Sequence, residues 1–108
     1  MTKNLDKDGF RSIVKNYDLF FIDLWGVVHN GINLHKKAIE TLIEINKSKK
    51  NYVLLTNAPR PNSTVKIFLK KLGMDKKILE NVYTSGEAAL SYLKKNHLGE
   101  IFYHIGPP

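Results

Sequence analysis

The 108-residue chain contains no cysteine. That excludes a disulfide framework and cysteine-ligated zinc, and it suits a reducing cytoplasm. Arginine is scarce too: only Arg11 and Arg60 stand among the seventeen basic residues. The net charge of +7 is therefore carried by lysine, largely as pairs such as Lys36-Lys37, Lys70-Lys71 and Lys94-Lys95. Arginine is the residue suited to bidentate phosphate and guanine contacts, and no basic run is interleaved with aromatics. The lysines read as solvated helix faces, and a basic nucleic-acid-binding module is the disfavoured alternative. Long hydrophobic runs are missing as well. The most apolar stretch, Leu19 to Val28, carries Asp23 and falls far short of the roughly 20 residues a membrane helix needs. The polar start, Met1 to Asp8, lacks the apolar core of a signal peptide. A soluble, cytoplasmic protein is expected, with no membrane partner. The four histidines, His29, His35, His97 and His104, show no metal-ligand spacing with carboxylates. Packing or solvent-facing roles are expected for them.

Against these absences stands an ordinary globular composition, 43% hydrophobic and 25% charged. The apolar residues alternate between two periods. Phe10, Ile13, Val14 and Tyr17 predict a short amphipathic helix. Leu19 to Ile22 is a continuous apolar run, expected of a strand covered on both faces. Ala38, Ile39, Leu42, Ile43 and Ile45 predict a helix, and Tyr52 to Leu55 a second buried strand. Val65, Phe68, Leu69 and Leu72 predict another helix, capped by Asn62 or Ser63 and stopped at Gly73. A helical turn follows Met74, then a weak strand near Asn81 to Thr84. Ser85 is expected to cap a helix over Gly86 to Lys95, and Ile101 to Ile105 reads as a last strand. Strands alternating with helices imply right-handed crossovers, a parallel sheet and an α/β fold of partial doubly wound, Rossmann-like form. In such sheets ligands lie beyond the carboxyl ends of the strands, which selects the loops after Ile22 and after Leu55.

The first loop opens Asp23-Leu24-Trp25-Gly26-Val27-Val28-His29. An aspartate ending an apolar strand either caps the next turn or is kept for chemistry. Gly26 permits a sharp turn that could aim amides at an anion beside that carboxylate. A carboxylate so placed suits attack on phosphorus to form an aspartyl-phosphate. The second loop, Thr56-Asn57-Ala58-Pro59-Arg60-Pro61-Asn62, offers a hydroxyl and an amide to a phosphate oxygen. Taken alone it is also an ordinary turn.

Together, Phe20 to Val28 and, about thirty residues later, Val53 to Asn57 resemble the first two motifs of the haloacid-dehalogenase (HAD) superfamily. Tyr83-Thr84-Ser85-Gly86-Glu87-Ala88-Ala89 and Ile101 to Gly106 resemble its class IIA branch, the nitrophenylphosphatase-like group with a large cap. The resemblance runs from about Tyr17 onward. It implies that Asp23 is the catalytic nucleophile and a Mg2+ ligand, with the Trp25 backbone carbonyl as a second ligand. It implies further that Thr56, Asn57 and Gly26 hold phosphate, and that the substrate is a small phosphorylated molecule. The family usually places a second aspartate, the acid/base, two residues after the nucleophile; here Trp25 stands there, and indole exchanges no proton at neutral pH. The family's cap, third-motif lysine and fourth-motif acidic pair have no counterpart in residues 1–108. The resemblance thus implies one unit over 1–108, the N-terminal part of a HAD-like core truncated before the cap and the last core strands. A chain of this kind is expected to be inactive or incomplete as a phosphatase, leaving its status as an enzyme open. Two accounts remain: a non-catalytic remnant, or a half-domain that self-associates or pairs with a partner chain through an exposed sheet edge.

Overall fold

The computed structural model describes residues 4–97 and 99–107. Its centre is a three-stranded parallel sheet in the order β1-β2-β3, with β1 over Leu19–Asp23, β2 over Asn51–Thr56 and β3 over Val82–Thr84. The sheet register pairs Asp23 with Leu55 and Thr56 with Thr84, so the two strand ends selected from sequence lie side by side. This is the expected α/β architecture.

The helices follow the sequence periods where a buried stripe exists to be packed. Helix α1 is a single turn at Leu5–Asp8. Helix α2, Lys36–Lys47, buries Leu42 and Ile45, while α3, Asn62–Lys71, buries Val65 and Leu69. The short α4, Lys76–Leu79, is capped by the Asp75 side chain and buries Ile78 and Leu79. These residues close over Tyr52, Leu54 and Val82 from the sheet, with Leu24, Val28 and Met74 completing the core. The alternating residues of β1 and β2 supply the inner face, as strand geometry demands.

Four expectations are corrected. The segment Phe10 to Tyr17 forms two 3-10 turns, Phe10–Ser12 and Val14–Asn16, in place of an amphipathic helix. A helix this short has a nucleation cost that few backbone bonds offset. Here Phe10 packs edge-on against Phe20 instead, with centroids 5.1 Å apart. Second, β1 is covered on one face only: Phe20 and Ile22 pack inward, while Leu19 and Phe21 are 46% and 67% exposed. Third, Ile101 to Ile105 forms no strand among the described residues, and Ile101 is 97% exposed. A strand has no local hydrogen bonds and requires a neighbour. Fourth, the caps of α3 and of α5, Ser85–Lys95, fall to Pro61 and Thr84, not to Asn62, Ser63 or Ser85.

Candidate functional site

Those reassigned polar residues build the site's frame. Asn62 accepts the Thr84 amide on Oδ1 at 2.9 Å, and its own amide donates to Glu87 Oε2 at 2.9 Å. Thr84, fully buried, donates its hydroxyl to the Arg60 carbonyl and accepts the Glu87 amide at 2.9 Å. The Ser85 hydroxyl and the Gly86 amide both donate to the Ala58 carbonyl, at 3.0 and 3.1 Å. Thr84 and Glu87 have the spacing of a capping box, but the glutamate reaches the other helix instead of closing on its own. Gly86 is required by proximity, since a Cβ there would overlap the Arg60 backbone. Five of these hydrogen bonds clamp the segment from Ala58 to Asn62 to the start of α5, and the sixth caps α5 itself. Sequence reading missed Thr84, Glu87 and the tying role of Asn62; the Thr-x-x-Glu spacing was their visible signal.

Asp23, Thr56 and Asn57 line one shallow depression of about 280 Å³ together with Phe21 and Leu55. Asp23 is exposed at its rim, and its Oδ1 accepts the Leu24 amide at 2.8 Å, which orients the carboxylate. Its exposure removes the desolvation cost expected of a carboxylate ending an apolar strand.

Gly26 takes a positive φ of 79°, as the turn requires, but its amide donates to the His29 carbonyl at 2.8 Å. The amides of Val28 and His29 return to the Leu24 carbonyl at 2.8 and 3.1 Å. These amides close the loop on itself, and Gly26 serves the turn in this arrangement; an anion would have to displace the His29 carbonyl to use it.

Trp25 lies across Gly31, where a Cβ would meet its ring at 2.6 Å, and stands edge-on to His29 with centroids 5.5 Å apart. His29 is 5% exposed, and its Nδ1 accepts the Gly31 amide at 3.0 Å, so the neutral ring carries its proton on Nε2. Burial and, secondarily, His35 hold its pKa below the ordinary value, with Asp23 opposing them. His29 and Phe68 stand 5.5 Å apart, edge to face.

Among the described residues no three His, Asp or Glu side chains gather into a metal-ligating group. Magnesium demands near-octahedral oxygen ligation, and Asp23 offers one carboxylate. The described side chains do not by themselves complete such a set. No helix among the described residues is long and apolar enough to cross a membrane.

The family profile described as haloacid dehalogenase-like hydrolase matches residues 20–108. No curated protein sequence matches the chain. Among solved structures, a haloacid dehalogenase-like hydrolase from Brucella suis is similar at 31% identity and a TM-score of 0.72, over 86% of this chain and 34% of its own. A possible sugar phosphatase of the HAD superfamily from Cytophaga hutchinsonii matches at 22% identity and TM-score 0.67, over 79% of this chain and 30% of its own. A hypothetical protein from Pyrococcus horikoshii matches at 22% and 0.60, over 73% and 30%. The chain spans about a third of the length of these structures. With the two loops, their order and the profile match in agreement, the chain belongs to the haloacid dehalogenase-like hydrolase family.

Proposed function

We propose that this chain is the nucleophile-bearing portion of a phosphoryl-transfer hydrolase that works through an aspartyl-phosphate, and that by itself it binds phosphate weakly without turnover. The observation that carries the reading is the convergence of Asp23, Thr56 and Asn57 on one depression at the carboxyl edge of the sheet. A carboxylate oxygen of the exposed Asp23 attacks phosphorus, the bond to the leaving oxygen breaks, and water later cleaves the phosphoryl-aspartate. The Thr56 hydroxyl and Asn57 amide take the phosphoryl oxygens. The leaving oxygen needs a proton that Trp25 cannot supply, and no lysine lines the depression to offset phosphate charge. Magnesium belongs to this reading as an ion that would need further ligands and the phosphate itself to be held. The Tyr83 to Ala89 stretch favours the class IIA branch, a small phosphorylated substrate fits the depression, and the absence of cysteine suits the cytoplasm.

The test is amide NMR with inorganic phosphate and magnesium. Weak shifts are expected near Trp25, Gly26 and Asn57. Shifts confined to the lysine-rich faces of α2 to α5 would replace the reading with nonspecific anion binding.

A second reading is favoured by one feature, the β1 edge, which no strand pairs among the described residues, with Leu19 and Phe21 exposed on the face beside it. An unpaired edge of this kind is a template for another polypeptide. In this reading the β1 edge is completed by a strand from a second copy or a partner chain.

A further inference from the structure

The turn that follows the buried His29 sets a nucleophile, a proton acceptor and two hydrogen-bond donors around one asparagine side chain. Asn30 is exposed, and its Oδ1 accepts the amides of Ile32 at 3.0 Å and Asn33 at 2.8 Å. A side chain bonded to the amide two residues ahead folds back over the peptide nitrogen between them, here that of Gly31. The same Gly31 amide donates to His29 Nδ1 at 3.0 Å. We propose that Asn30-Gly31 is a self-modifying site, at which the Gly31 nitrogen attacks the Asn30 side chain and converts it to aspartyl and isoaspartyl forms without an enzyme.

The Gly31 nitrogen forms a bond to Asn30 Cγ while its proton passes to His29 Nδ1. The carbonyl oxygen that gains charge in this step is already held by the Ile32 and Asn33 amides, at distances suited to an oxyanion. The bond from Cγ to Nδ2 then breaks, water returns the proton to the departing nitrogen, and ammonia leaves behind a cyclic imide. A water molecule opens the imide at either carbonyl, giving aspartate or isoaspartate. Nδ2 makes no hydrogen bond among the described residues, so the leaving nitrogen is unrestrained. Of the ten asparagines only Asn30 precedes a glycine. A side chain at position 31 would crowd the attacking nitrogen, and its Cβ would meet the Trp25 ring at 2.6 Å. Trp25 thus packs on the turn and holds it in one shape, which lowers the entropic cost of the attack. The product places a new negative charge on the loop that begins at Asp23. The isoaspartyl form also lengthens the turn by one methylene, which disrupts the 3.2 Å bond from the Asn30 amide to the Asn33 carbonyl.

The experiment incubates the folded chain at neutral pH beside the same chain denatured in guanidinium, following ammonia release and peptide masses. Fragmentation of the tryptic peptide from Asn16 to Lys36 separates Asn16, Asn30 and Asn33, and distinguishes aspartyl from isoaspartyl products. Asn30 is expected to convert before any other asparagine. It should do so about tenfold faster in the folded chain than in the denatured one, well within what a positioned proton acceptor and oxyanion donors supply. His29→Phe keeps a ring against Trp25 and Phe68 but removes the acceptor, and should bring the folded rate down to the denatured rate. Equal or slower conversion of Asn30 in the folded wild-type chain overturns the proposal, since the dipeptide alone would then account for the reaction; that comparison needs no variant. Wild-type conversion rates in a folded His29→Phe chain overturn the proton transfer to His29.

Discussion

Glu87 accepts the amide of Asn62, a residue 25 positions earlier in the chain, on its carboxylate at 2.9 Å. The contact joins the amino ends of α3 and α5 across the loop that presents Thr56 and Asn57. A carboxylate at the start of a helix is also favoured by the helix dipole, here by two helices at once.

Removing that carboxylate should therefore loosen the loop and weaken the fold together. Glu87→Ala is expected to cost about 1–3 kcal/mol, as a charge-assisted bond to a part-buried amide does. Glu87→Gln should cost less, because the amide oxygen still accepts. Denaturant melts give the stability change, and hydrogen exchange at Asn62 and Thr84 locates it. Unchanged exchange at those two amides would show the clamp to be redundant.

Gly86→Ala should destabilise by about 1–3 kcal/mol, the cost of overpacking, since the added Cβ meets Arg60 backbone and not a movable side chain. A calorimetric scan measures it directly. Full stability of the alanine variant would mean that the loop yields freely.

Stability should fall on acidification through His29. Its folded pKa lies below the ordinary 6.5, chiefly through burial, so the unfolded chain binds the proton first. The contribution is complete above 6.5 and lost as pH falls toward and through the lower folded value. Because the imidazole stands edge-on to Trp25, its protonation should quench indole fluorescence with a midpoint below 6.5. His29→Gln should abolish that transition; a midpoint at or above 6.5 would contradict the burial argument.

With p-nitrophenyl phosphate and magnesium the chain is expected to give no turnover above the buffer rate. In the proposed reading Trp25 stands where a proton donor is needed, and among the described residues no group of three metal-ligating side chains gathers at Asp23. Robust turnover that disappears in Asp23→Asn would show that the chain supplies its own acid and cation.

At high concentration the chain should self-associate through the outer face of β1. Phe21→Lys places a charge on that face while removing little packing, because Phe21 is two-thirds exposed. Sedimentation should show the variant shifted to monomer, with stability changed by no more than about 0.5 kcal/mol. Identical sedimentation of both chains would remove the edge as an association surface.

The sequence by itself determined α2, α3, β2 and the parallel order of the strands, because each depends on an apolar period carried within a few consecutive residues. It also placed Asp23 and Thr56, since the end of a buried strand is visible wherever an apolar run gives way to a polar residue. The pairing of Asp23 with Leu55, which sets the two loops side by side, follows from that parallel order. Tertiary structure alone decided where the polar side chains went. Asn62, Ser85 and Glu87 each have a local capping role open to them, yet their side chains bond across 22, 27 and 25 residues instead. A local rule counts only neighbours in sequence, whereas a donor or acceptor takes the best partner within 3 Å. The same reason separates the two faces of β1 and the segment Ile101 to Ile105 from their periods. Apolar alternation states what a residue can bury against, and only the assembled sheet supplies, or fails to supply, the surface that buries it.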